Sequence, residues 1–248
     1  MAEPQLPTRR LKTASVAPEP MPNWALFLDL DGTLLDIAPT PDDVIVPKDL
    51  VDDIAVASKR LGGALAIVSG RTLDNIDRLL APLKLPVACE HGGTIRLPNG
   101  FFDEVELEVP QAWKKTLRDL AARRPGMLSE TKRHNVVAHY RNAPSYEDEL
   151  RRTVISLVAS DPANFELLEA KMAFEIRPRK VTKARAVHAL MNVEPFRGRT
   201  PVFVGDDRTD HDGFAAAIEL GGIALDVAIA FAGSPENVRH WLKRFAKQ

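Results

Sequence analysis

The sequence predicts an α/β fold, a parallel sheet with covering helices into which a smaller α+β domain is inserted. Three observations predict it. Strand-length apolar runs alternate with stretches of helical periodicity. The main runs end in polar clusters, and in parallel sheets ligands gather at the carboxyl ends of the strands. The alternation breaks near residue 104 and resumes near 180.

Residues 1–22 carry Pro4, Pro7, Pro18, Pro20 and Pro22 among scattered charges, which predicts a disordered tail. The run from Trp24 to Leu28 reads as a first buried strand. Pro39 and Pro41 mark a loop, and Pro47 suits the start of a helix reaching about Leu61. Ala64 to Val68 is a second strand; after Ser69-Gly70-Arg71, Leu73, Ile76, Leu79 and Leu80 fall at helical spacing. A short strand over 86–88 leads into Glu90-His91-Gly92-Gly93, and Asn99-Gly100 reads as a hairpin turn. The inserted part follows, with a helix over 111–123, two strands within 127–140, a helix over 145–160 and two strands ending at Ile176. The parallel pattern returns with a helix over 182–191 and a strand over 201–204 that ends in Gly205-Asp206-Asp207-Arg208-Thr209-Asp210. A helix to Leu220, a strand over 223–225 and a last helix capped by Ser234, with Pro235 behind it, complete the chain. The expected division is a tail 1–22, a core 23–103 with 180–248, and an inserted domain 104–179.

Composition narrows the function. A length of 248 residues with 45% hydrophobic content can fill a sizeable core, and 33 Lys+Arg against 34 Asp+Glu leaves a net charge of −1. Nothing global draws such a chain to nucleic acid or to anionic lipid. No apolar run approaches the roughly 20 residues of a membrane span, and the start of the chain lacks a signal-peptide apolar region. One cysteine, Cys89, excludes an internal disulfide framework. The expectation is a cytoplasmic monomer with a small-molecule partner. The six histidines show no zinc-type pairing, and neither common nucleotide-cradling glycine motif follows a strand.

Asp29-Leu30-Asp31-Gly32-Thr33 carries the strongest chemical signal. Carboxylates at i and i+2 of an extended segment share a side, so Asp29 and Asp31 would crowd one point unless a cation or a shared proton intervened. Mg2+ would relieve that repulsion and screen a phosphoryl group approaching Asp29 as nucleophile, with Asp31 as general acid and base. Ser69, Lys183, Asp206 and Asp210 fall at other strand ends or helix starts. Phosphoryl transfer to a carboxylate needs a nucleophile, hydroxyl and amide donors, a lysine countercharge and a hard cation with oxygen ligands. The expected set is Asp29, Asp31 and Lys183 for catalysis, Thr33, Ser69, Gly70 and Arg71 for phosphate, and Asp29, the Asp31 carbonyl, Asp206 and Asp210 for the metal. Each piece has an ordinary explanation, a solvated turn for Asp-x-Asp, a helix cap for Ser69, a surface charge for Lys183. Their convergence on one sheet edge favours chemistry.

With these residues the chain resembles the haloacid-dehalogenase-like (HAD) phosphohydrolases, and more finely the trehalose-6-phosphate phosphatase family. The finer likeness rests on Asp31-Gly32-Thr33-Leu34-Leu35, Ser69-Gly70-Arg71, His91-Gly92, His139-Tyr140-Arg141, Glu175-Ile176-Arg177-Pro178 and Gly205-Asp206-Asp207 with Thr209-Asp210. The resemblance implies a Rossmann-like core, a mobile inserted cap, trehalose 6-phosphate as substrate, and sugar contacts from His91, Glu130, Lys132, Arg141, Lys171 and Glu175. Alternation supports part of this, since Met172, Phe174 and Ile176 form one face of a strand while Lys171, Glu175 and Arg177 point the other way, and Glu130 shares a face with Lys132. Without the family likeness such a charged face reads as solvated. Three positions depart from the family pattern: Thr94 where glutamate is usual, Ala184 where glycine is usual and His211 where glutamate is usual. Thr94 keeps open a phosphatase for another sugar phosphate, of the sucrose-phosphate or mannosyl-phosphoglycerate type, and a third reading is a silent sugar-phosphate sensor.

Overall fold

The computed structural model describes residues 13–38, 43–170 and 172–247, so Lys171, the loop at Pro39 and Pro41, and tail residues 1–12 lie outside the described residues. In chain order the elements are β1 (Trp24–Leu28), α1 (Leu50–Arg60), β2 (Leu65–Val68), α2 (Leu73–Leu79), β3 (Val87–Cys89), β4 (Thr94–Arg96) and β5 (Phe102–Glu104). Then come α3 (Gln111–Ala122), β6 (Leu128–Thr131), β7 (Val136–His139), α4 (Glu147–Ala159), β8 (Phe165–Ala170) and β9 (Ala173–Pro178). The chain closes with α5 (Lys183–Met191), β10 (Thr200–Gly205), α6 (Asp210–Glu219), β11 (Ile223–Asp226), α7 (Val227–Ala230) and α8 (Pro235–Leu242). They form two compact units, Met1–Ile67 with Val187–Gln248, and Val68–Ala186.

In the first unit β11, β10, β1 and β2 lie side by side in that order and pair in parallel. β1 is Trp-Ala-Leu-Phe-Leu and is buried throughout, as a central parallel strand covered on both faces must be. Phe27 stacks on Phe203 of β10 with ring centroids 6.4 Å apart, so neighbouring strands are joined by aromatic contact as well as by their ladder. α1 buries Leu50, Ile54 and Ala57, spaced one turn apart, with Asp52 and Asp53 in its first turn and Lys59 and Arg60 in its last, the charge order that suits the helix dipole. The cap expected at Ser234 is made, its side chain accepting from the Asn237 N–H. Residues 13–22 are held in place: Ala14 N–H donates to the Ala224 carbonyl (3.1 Å), Trp241 Nε1 to the Pro18 carbonyl (2.8 Å), and Arg244 pairs with Glu19 (2.8 Å). The helix donors of the C-terminal segment reach these residues, a long-range contact that proline content cannot reveal.

The second unit carries two antiparallel arrangements. β3, β4 and β5 pair in order, with Asn99-Gly100 at the β4–β5 turn and Gly100 at φ 84°. The other is the four-stranded sheet β6-β7-β9-β8. Register follows side-chain alternation. Val136, Ala138, Phe174 and Ile176 point to one face, where Leu117 and Leu120 of α3 and Leu150 and Val154 of α4 complete a continuous core. Glu130, Val137 and Glu175 are direct cross-strand partners on the opposite face. Among the described residues no helix is long and apolar enough to cross a membrane.

Candidate active site

At the carboxyl end of β1 the chain turns at once. Leu34 and Leu35 N–H groups both donate to the Leu30 carbonyl (2.8 Å each), and Gly32 N–H to the Leu35 carbonyl (2.8 Å). Gly32 sits at φ +81°, and a Cβ there would lie closer than 3.0 Å to the Asp206 carboxylate, so only glycine admits both the turn and the approach of β10. Asp29, Asp206 and Asp210 each place a carboxylate oxygen within 4.8 Å of the others. Asp29 and Asp210 are buried and Asp206 is half-buried. Asp210 is positioned by accepting from the Asp206 and Asp207 N–H groups (3.0 and 3.1 Å) at the start of α6, where a helix dipole favours an anion. Thr33 Oγ1 donates to Asp206 (3.4 Å). Three carboxylates this close repel one another unless a hard cation neutralises them, and an all-oxygen donor set of this size fits Mg2+. The Asp31 carboxylate is not in this group. The turn over residues 30–35 begins immediately after Asp29.

In the second unit a loop after β2 is laced to a loop after β3. Ser69 N–H donates to the Ala88 carbonyl, His91 N–H to the Ser69 carbonyl and Glu90 N–H to the Arg71 carbonyl, all at 2.9 Å. Ser69 Oγ accepts from the Arg71 N–H (3.2 Å); it is not the cap of α2, whose N-cap is Thr72. The His91 ring lies on Gly70, where any Cβ would come closer than 3.0 Å, and Gly92 faces the Thr182 carbonyl just as closely. Gly92 thereby sets the start of α5, whose first residue is Lys183, and Arg185 fastens the contact by donating to the Gly92 carbonyl (2.6 Å). Lys183 is 2% exposed, unlike the solvated lysine an isolated helix position suggests. Glu90 and His91 both hold positive φ, 47° and 57°, a strained pair of non-glycine residues of the kind that marks working loops.

Part of the polar face of the four-stranded sheet is buried where a charged strand face reads as solvated. Glu175 is buried, accepts from Asn135 Nδ2 (2.6 Å) and faces His91 Nε2 at 3.6 Å. Arg177 pairs with Glu166 (2.9 Å). Lys132 Nζ donates to the Gly70 carbonyl (3.0 Å) and lies 3.6 Å from Glu130, which also faces His139 at 3.6 Å. The His139 hydrogen bond and the Lys132 charge hold Glu130 below the usual carboxylate range against its burial. For Glu175 burial pushes upward, but His91, Lys132 and Arg177 outweigh it and bring the carboxyl down to about 2. A depressed carboxylate contributes stability above its unfolded value, 4.5, and loses it as pH falls toward 2. Thermal melts between pH 5 and 2 should fall less steeply for Glu175→Gln than for wild type; parallel curves would show that the carboxylate is not so stabilised.

A family model described as trehalose-phosphatase matches residues 27–242, a span running from β1 to the end of α8. The chain belongs to the trehalose-phosphatase family. It is 41% identical over 206 residues to a probable trehalose-phosphate phosphatase of Sinorhizobium fredii, covering 83% of this chain and 78% of that one. To the trehalose-6-phosphate phosphatase of Escherichia coli it is 37% identical over 235 residues, 91% of this chain and 88% of the relative. The C-terminal domain of a C. albicans trehalose-6-phosphate phosphatase superposes with a TM-score of 0.72 at 19% identity, covering 91% and 92% of the two chains. A haloacid dehalogenase-like hydrolase from B. subtilis superposes at 0.60 and 16% identity, covering 89% and 99%, so the shared α/β fold outlasts the sequence likeness.

In this trehalose-phosphatase family member the first unit brings together Asp29, Thr33, Asp206 and Asp210, and the second brings together Ser69, Gly70, His91, Lys132, Glu175 and, through Lys132, Glu130. Arg71 donates to Asn75 (2.5 Å) on α2, and Arg141 is exposed just beyond β7. Sequence reasoning gave no site role to Asn135, His139, Glu90 or Lys114, although His139 and Glu90 stood in stretches it singled out. Asn135 had one usable signal, an amide two residues ahead of Val137 and so on the polar face of β7.

Proposed function

We propose that this chain is a Mg2+-dependent phosphatase that converts trehalose 6-phosphate to trehalose and phosphate through an aspartyl-phosphate on Asp29. One observation carries the reading: a buried carboxylate at the end of β1 belongs to a three-aspartate group in a chain 37–41% identical to curated trehalose-phosphate phosphatases. A carboxylate oxygen of Asp29 attacks phosphorus while the bond from phosphorus to the sugar 6-oxygen breaks, and Asp31 gives that oxygen its proton. Asp31 then takes a proton from water, whose oxygen attacks the phosphoryl group and frees Asp29 and inorganic phosphate. Mg2+ held by Asp29, Asp206, Asp210 and the Asp31 carbonyl would offset the charge that two anions bring together. Thr33, Ser69, Gly70, Arg71 and Lys183 are assigned to the phosphoryl oxygens, and His91, Glu130, Lys132, Arg141, Lys171 and Glu175 to the sugar.

A second reading, a phosphatase for another sugar phosphate, draws on Thr94. Its hydroxyl is engaged with His134 (3.0 Å) and Glu104 (3.3 Å), and a side chain that short does not replace the reach of the family's glutamate. A panel of phosphate esters assayed with Mg2+ decides. Trehalose 6-phosphate is expected to lead by roughly 100-fold or more in kcat/KM, the scale of a site that loses paired polar contacts with the wrong ligand. Parity with simple esters would remove the substrate assignment, and no hydrolysis of any ester would return the sensor.

A further inference from the structure

Lys132 and Asn135 sit at the two ends of a short connection between β6 and β7, and that connection is gripped by two buried charges from elsewhere in the same unit. Glu90, 6% exposed, accepts from the backbone N–H of His134 (2.8 Å) and, more weakly, of Arg133 (3.4 Å). Lys114, 2% exposed on the core face of α3, donates to the backbone carbonyls of Lys132 (3.1 Å) and Arg133 (3.0 Å). Burying a carboxylate and an ammonium is costly, and peptide dipoles aimed at each of them supply the compensation. The His134 ring closes the arrangement: it is fully buried, meets Thr94 Oγ1 at 3.0 Å and lies against Gly93, where a Cβ would come closer than 3.0 Å.

We propose that Glu90 and Lys114 are positioning residues for sugar recognition, a two-sided ionic clamp on residues 132–134 that sets where Lys132 and Asn135 point. The inference rests on the sugar-phosphatase reading and deepens it. Lys132 reaches the Gly70 carbonyl and Asn135 holds Glu175, which faces His91, so one connection bears on three polar groups of this face and on the imidazole opposite them. Glu90 itself is held at φ 47° beside His91, which ties the clamp to the loop that carries the imidazole.

The test uses Glu90→Gln and Lys114→Met in the full chain, assayed on trehalose 6-phosphate and on para-nitrophenyl phosphate, with backbone amide exchange over residues 132–135. Loss of a charge-assisted bond should raise KM for the sugar phosphate roughly 10- to 100-fold. kcat on the small ester should stay within about twofold, because the chemical groups are untouched. Exchange at Arg133 and His134 should quicken in both variants while the exchange of β9 is unchanged. Glu90→Asp, which keeps the charge on a shorter arm, should recover part of the lost affinity. Parallel losses on both substrates, or an unchanged KM for the sugar phosphate, would overturn the positioning role. If the wild type does not prefer trehalose 6-phosphate, the substrate reading has failed instead, and unaltered exchange at 133–134 would still refute the clamp.

Discussion

Asp29→Asn is expected to lower turnover of trehalose 6-phosphate by roughly 10^4-fold or more while leaving the fold intact. Asparagine has the same shape, and Asp29 is only 5% exposed, so the replacement neither opens a cavity nor crowds its surroundings. It removes one of three mutually repelling carboxylates and with it the proposed nucleophile. Acid-quenched single-turnover reactions should show phosphorylated protein for the wild type and none for the variant. Residual turnover within tenfold of wild type would mean that another group attacks phosphorus.

The second large effect concerns the cation. Chelation should abolish hydrolysis and added Mg2+ should restore it. A readout independent of activity follows from the electrostatics: oxygens of three carboxylates within 4.8 Å of one another destabilise the metal-free fold. Saturating Mg2+ should therefore raise the wild-type Tm by roughly 5–10 °C, the shift that ligand binding at about a hundred times Kd produces in a chain of this size. Asp206→Asn should start from a higher metal-free Tm, because the repulsion is reduced, and respond little to Mg2+. Asparagine keeps the shape of the half-buried Asp206 side chain, so the replacement removes charge without opening a cavity. Equal Mg2+ responses in the two proteins would place the cation elsewhere.

Much of the candidate site was legible because its signals are local. An apolar run closed by Asp29, a glycine at the turn, and a second apolar run closed by Asp206 and Asp210 can be read along the chain, since strand burial and turn chemistry depend on near neighbours. The same holds for the Ser234 cap and the Asn99-Gly100 turn. Asp31 is less legible, because spacing by two speaks for a shared side only in extended backbone and the 30–35 turn begins one residue after Asp29. The face bearing Glu175 looked solvated from its charges alone. Its burial beside Asn135, His91 and Lys132 depends on contacts across 40 or more positions for the first two, which no window on the sequence contains.

By itself the sequence determined the order of strands and helices and which acids stand at strand ends, because those follow from hydrophobic period, glycine conformational freedom and the repulsion of close carboxylates. Only the tertiary structure decided that Asp29, Asp206 and Asp210 bring their carboxylates together, that Glu175 is buried against Asn135 and His91, and that Glu90 and Lys114 spend their charges on backbone groups. The reason is physical: the cost of a buried charge is set by partners distant in sequence, and the residue type is the same whether those partners arrive or water does.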